Sequence, residues 1–132
     1  MGNIKAAIIG LGNCASSLVQ GVYKYRTESI NGGLPGVMHP KIGEYEIGDI
    51  EFVAAFDVDT NKVGLDLSEA IFTEPNNTVK FQDVSHMDVT VQRGMTHDGI
   101  GKYLSGTIKK AEGPTDDIAN ILKEREVDVV IN

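Results

Sequence analysis

The chain has one cysteine, no tryptophan and few basic residues, and each scarcity closes off a class of explanation. A single thiol, Cys14, cannot form an intrachain disulfide, which fits a reducing compartment. Lys and Arg number 12 against 19 Asp and Glu, for a formal charge of −7. A surface of that sign disfavours nucleic acid and anionic membranes, which normally require clustered basic residues. No apolar run approaches the roughly 20 residues needed to span a bilayer, and no secretory hydrophobic segment precedes the first apolar stretch. Met1-Gly2 is not a myristoylation signal, because Ala6 stands where Ser or Thr is wanted. His39, His86 and His97 lie too far apart for zinc-ligand spacing, so no metal site is expected. The default expectation is a soluble cytoplasmic protein.

What is present is concentrated at the start. Ile4, Ala6, Ala7, Ile8 and Ile9 form a short apolar run, as expected of a strand buried on both faces of a parallel sheet. Gly10 and Gly12 follow, spaced as in G-x-G-x-x-G/A, with Ala15 in the last small position. Ala15, Leu18, Val19, Val22 and Tyr23 then recur at helical spacing, so one stripe of a helix faces the sheet. A strand turning on glycines into a helix N-terminus holds a pyrophosphate with backbone N–H groups. The bland alternative is an ordinary tight turn, but strand, turn and helix stand in the order the binding motif requires.

A second strand is written at Ile50 to Phe56, and Asp57 follows it directly. An acid at that strand tip accepts hydrogen bonds from ribose hydroxyls and repels the extra phosphate of NADP, so Asp57 points to NAD. Asp57 and Asp59 also suit turn and cap positions. The acid usually comes about 20 residues after the glycine turn. The excess here is an insertion at about residues 26–49, marked by Asn31-Gly32-Gly33, Pro35-Gly36 and His39-Pro40. Lys62 to Phe72 reads as a helix or two short helical turns, the helix weakened by Gly64, with Val79-Lys80-Phe81 and Val89-Thr90-Val91 as short strand candidates. Pro114-Thr115-Asp116-Asp117 opens a helix with Ile118, Ile121 and Leu122 as its apolar stripe, and Val127 to Asn132 reads as a buried strand.

The whole describes one α/β domain over residues 1–132, a Rossmann-like doubly wound parallel sheet, short for an enzyme that must also hold a substrate. The last strand lacks its exit loop, where α/β chemistry sits, so a fragment truncated before a catalytic region is expected.

Five blocks sharpen this: GLGNCASSLVQG at Gly10 to Gly21, LPGVMH at Leu34 to His39, FVAAFDVD at Phe52 to Asp59, VGLDLSEAIF at Val63 to Phe72 and QRGMTHDGIGKY at Gln92 to Tyr103. In order and over almost the whole chain, they resemble the myo-inositol-1-phosphate synthase family, in its shorter bacterial and archaeal form. The resemblance implies an NAD-dependent isomerase acting on glucose 6-phosphate and serving inositol and phospholipid biosynthesis, assembled as a homotetramer. It implies oxidation at C5, loss of a C6 proton, aldol closure onto C1 and return of the hydride. Carried onto this chain, it implies that Gly10, Gly12, Asn13, Cys14 and Ala15 hold the pyrophosphate and Asp57 the adenosine ribose. Arg93, Gly94 and Asp98 would form part of the wall near the cofactor. The family's catalytic lysines and phosphate-binding groups belong to the later catalytic and tetramerisation region, absent here. Lys102, Lys109 and Lys110 read as solvated surface residues rather than substitutes for them. Catalysis is therefore not expected of these residues alone. The competing readings are an NAD-dependent dehydrogenase or reductase of the same fold, and a non-catalytic NAD-binding module.

Overall fold

The computed structural model describes residues 3–28, 34–96 and 100–132. Four parallel strands form one sheet: β1 (Ile4–Ile9), β4 (Ile50–Asp57), β5 (Val91–Arg93) and β6 (Val129–Ile131), in the spatial order β5-β4-β1-β6. The chain leaves β1 toward β4 and β5 and returns on the other side as β6. The order therefore reverses beside β1, and in open α/β sheets that reversal leaves a crevice at the carboxyl ends of the strands. Between β1 and β4 stands a small antiparallel hairpin, β2 (Lys41–Ile42) with β3 (Tyr45–Glu46), inside the segment expected to be an insertion.

Helices cover both faces, as a doubly wound fold requires. On one face α1 (Asn13–Thr27) lays Ala15, Val19 and Val22 over Ala6, Ile8, Phe52 and Ala55, and the one-turn α2 (Leu67–Ala70) joins the same cluster. On the other, Ile118, Ile121 and Leu122 of α3 (Ile118–Glu124) pack on Ala7, Ala54 and Phe56. Each fully buried Val, Leu or Ile side chain contributes about 1.5–3 kcal/mol by leaving water. Strand β4 carries a bulge: Ala6 pairs with Phe52 but Ala7 with Ala54, so Val53 is an extra residue.

Asp66 anchors the region between β4 and β5. Its carboxylate caps α2 by accepting from Ser68 N (3.0 Å), and takes the Ser68 hydroxyl, Met87 N (3.0 Å) and Val89 N (2.9 Å) as well. Burial pushes this carboxyl up, but the hydrogen bonds from Ser68, Met87 and Val89 outweigh that effect and hold it below the ordinary carboxylate range.

Three sequence expectations are corrected and one is decided between its two forms. Residues 79–81 form no strand. The fully buried Gln20 of α1 supplies their partner instead, its Oε1 accepting from Phe81 N (2.8 Å) and Gln82 N (3.2 Å). Of the helix or two short helical turns expected over Lys62 to Phe72, the structure has the shorter form: hydrogen-bonded turns from Asp59 to Leu65, then α2, with Gly64 at φ +92° and the Asp66 cap between them. The strand expected at 89–91 falls at Val91–Arg93, since Val89 is engaged by Asp66. In β6, Val129 and Val130 are 46% and 44% exposed rather than buried, since β6 is the outer strand and has only β1 beside it. Among the described residues no helix is long and apolar enough to cross a membrane.

Candidate functional site

The carboxyl ends of β1 and β4 meet in one hydrogen-bonded corner. Gly10 turns the chain at φ +91°, a conformation L side chains rarely adopt, and its N–H donates to Phe56 O at 2.9 Å. The next N–H, of Leu11, donates to Asp57 Oδ2 at 2.7 Å. Asp57 Oδ1 accepts from Val58 N (2.7 Å) and Asp59 N (2.9 Å). The strand-tip acid and the glycine turn thus touch. A carboxylate has about four acceptor positions, and these three bonds leave capacity on Oδ2.

Gly12 is the N-cap of α1. No side chain caps the helix and no acid stands in its first turn, while Lys24 and Arg26 complement the other end. A helix start in this state carries about half a positive charge on N–H groups that lack intrahelical partners. A Cβ placed on Gly12 would meet nothing within 4 Å, so the turn is open on its outer side. It borders a cleft of about 350 Å³. Gly10 to Asn13 form one wall and Asp57 to Asp59 another, and Ile100, Leu104 and Ile108 add an apolar one. A second hollow, of about 280 Å³, lies at the opposite end of the sheet between the hairpin and the starts of β1 and β4, and its walls are mainly apolar (Ile4, Ile42, Ile47, Ile50).

The other expected site residues divide. Asn13 lines the cleft, but its side chain is committed elsewhere: Oδ1 accepts from Asn77 N (2.9 Å), Thr78 N (3.1 Å) and the Thr78 hydroxyl (2.8 Å). Only its backbone is free to serve a ligand. Cys14 is exposed and Ala15 is buried against the sheet, the small contact expected at that position. Arg93 and Gly94 are not among the residues of the cleft wall. The Arg93 guanidinium donates to Ala111 O (3.1 Å), Gly94 O and Thr96 Oγ1 (3.3 Å), and Gly94 N–H donates to Asp57 O at 2.8 Å. Both brace the loop beyond β5 against the β4 tip. Asp98 lies outside the described residues, as does His97. No group of three or more His, Cys, Asp or Glu with metal-binding geometry occurs among the described residues.

Two cleft residues had no role in the sequence reading. Lys62 is 4% exposed, and its Nζ donates to Leu11 O and Asn76 Oδ1, both at 2.8 Å. Asn76 Nδ2 donates to the same Leu11 carbonyl at 2.9 Å. The segment from Asp57 to Lys62 offers only a faint local signal for this, a lysine shortly after a strand-tip acid. Its burial depends on contacts far along the chain.

No protein-family model matches the chain. It is 56% identical over 131 residues to the inositol-3-phosphate synthase of Mycolicibacterium smegmatis, a match covering 99% of this chain and 36% of that protein. Among solved structures, the crystal structure of Ari2 matches with a TM-score of 0.76 at 29% identity, over 97% of this chain and 36% of that one. A myo-inositol-1-phosphate synthase-related protein from Thermotoga maritima matches with a TM-score of 0.67 at 26% identity, over 98% of this chain and 34% of that one. The chain thus spans about a third of the length of the proteins it matches.

Proposed function

Because this chain is a relative of the inositol-3-phosphate synthases over 36% of their length, we propose that it is the NAD-binding, amino-terminal part of such an enzyme. The complete enzyme, in this reading, converts D-glucose 6-phosphate to 1D-myo-inositol 3-phosphate as a cytoplasmic homotetramer. One observation carries the cofactor reading: an uncapped α1 N-terminus faces a cleft of about 350 Å³ whose other polar wall is the Asp57 strand tip.

The residues fit the group. A diphosphate is held by the N–H groups of Gly12, Asn13, Cys14 and Ala15, because the helix dipole and unpaired donors both favour an anion there. This suits a chain of net charge −7, in which local dipoles rather than a basic surface must do the holding. Asp57 takes a ribose hydroxyl with its spare acceptor capacity, and its charge disfavours the extra phosphate of NADP. Ile100, Leu104 and Ile108 exclude water beside the adenine. Arg93 and Gly94 hold the loop beyond β5 in place, and Asp98 follows in that loop's sequence. Bound NAD supplies the hydride acceptor and donor, and the net reaction leaves it unchanged.

Calorimetry of the complete polypeptide with NAD and NADP is the direct test. NAD is expected to bind and NADP to bind at least about tenfold more weakly. Incubation with glucose 6-phosphate is expected to yield inositol phosphate without accumulation of NADH. Steady NADH accumulation would favour a dehydrogenase, and a polypeptide that binds NAD but transforms no substrate would favour the binding module.

A further inference from the structure

We propose that Lys62 is the cationic group that neutralises the diphosphate of the dinucleotide. This rests on the NAD reading above and deepens it. Lys62 is 4% exposed, yet among the described residues its ammonium has only neutral hydrogen-bond partners, the Leu11 carbonyl and the Asn76 amide oxygen, both at 2.8 Å. An ammonium has three donors, so one remains beyond those two. None of the ion pairs among the described residues includes Lys62. The two neighbouring acids of the cleft make no direct contact with it either. Asp57 accepts from the amides of Leu11, Val58 and Asp59 and forms no ion pair with Lys62. Asp59, 2% exposed, accepts from Asn61 N through Oδ1, and its Oδ2 has no hydrogen-bond partner among the described residues.

A buried cation without a counter-charge is costly unless something supplies the missing anion. Its location says what that anion is. The bond to Leu11 O fixes the charge between Gly10 and Gly12, at the turn where the unpaired N–H groups of α1 begin, and Lys62 lines the same cleft. A diphosphate bound on those amides meets an ammonium that is itself buried, so the charge interaction is screened less than one between two exposed groups. The glycine turn supplies directed donors and Lys62 supplies net charge, so an acidic chain holds an anion without any arginine in the turn.

Three variants of the complete polypeptide separate this from mere bracing of the turn, each checked for folding by circular dichroism. Lys62→Gln keeps a donor for Leu11 O but loses the charge, Lys62→Arg keeps the charge, and Lys62→Met loses both. Affinities are measured for NAD, ADP and adenosine, the last lacking any phosphate. Loss of a charge-assisted contact predicts that Lys62→Gln and Lys62→Met weaken NAD and ADP about 10- to 100-fold and leave adenosine within about threefold. Lys62→Arg should stay closer to the unaltered protein for all three. Equal losses for adenosine and ADP, or unchanged NAD and ADP affinity in a folded Lys62→Gln, would overturn the proposal. If the unaltered protein binds ADP but not NAD, the cofactor reading fails while the contrast between ADP and adenosine still judges Lys62. If it binds neither, both fail.

Discussion

Asp66 and the corner formed by Asp59 and Lys62 are both buried and charged, and they stand within a few residues of each other, yet they are built in opposite ways. Asp66 is saturated: four donors from Ser68, Met87 and Val89 converge on its two oxygens. In the corner, among the described residues, Asp59 keeps an oxygen without a hydrogen-bond partner and Lys62 forms no ion pair. A saturated buried charge closes a structure on itself, whereas a buried charge with spare capacity marks where something else belongs. The contrast separates the scaffold from the site more sharply than burial alone.

The largest effect that would break this comparison is at Asp66. Asp66→Asn places an amide NH₂ among donors and is expected to cost about 3 kcal/mol in urea unfolding, with ligand affinity of the folded protein unchanged. The pH dependence carries a definite sign. The folded carboxyl lies below its unfolded value, so its stabilisation is fully present above the ordinary carboxylate pKa and is lost as pH falls through the folded value. Between about pH 5 and about pH 2, the unfolding midpoint of Asp66→Asn should therefore fall less steeply than that of the unaltered protein. A parallel decline would show that Asp66 is not the group whose protonation matters.

Gln20→Ala comes next, at about 2 kcal/mol, because it strands the N–H groups of Phe81 and Gln82. Hydrogen exchange should accelerate at those two amides first. Asp57→Ala sharpens the comparison from the other side, since Asp57 both ties the turn and faces the cleft. It is expected to cost about 1 kcal/mol and to weaken NAD about tenfold. Unchanged affinity by calorimetry would remove Asp57 from ribose binding. The smallest effect is at Glu126, whose carboxylate meets Lys5 Nζ at 2.7 Å on the surface. That contact holds the Glu126 carboxyl below its usual range. Exposed pairs contribute little, so Glu126→Gln should leave the thermal midpoint unresolved from that of the unaltered protein.

What the sequence made legible was local. The turn at Gly10, the stripe of α1 and the acid at the tip of β4 each show in a window of a few residues, as does the start of α3, where Asp117 accepts from Asn120 N at 3.1 Å. What stayed hidden depends on partners far along the chain. Asn13 reads as a phosphate-turn residue until Asn77 and Thr78, more than sixty positions away, occupy its side chain. Lys62 reads as the start of a helix until Leu11 and Asn76 bury it. Residues 79–81 have the composition of a strand, but a glutamine reaches them before another backbone does.

The extra residue at Val53 has a bearing on the carboxyl end of the sheet. Side chains on a strand alternate faces, so Phe52 and Ala55, three apart, share the α1 side only because that insertion changes the phase of β4. Asp57, two beyond Ala55, inherits the altered parity and arrives on the side where Leu11 waits. Deleting Val53 would remove the bulge and leave Phe52 and Ala54 as direct neighbours on opposite faces, as their partners Ala6 and Ala7 are, so Phe56 and Asp57 would keep their layers while the strand lost its local kink.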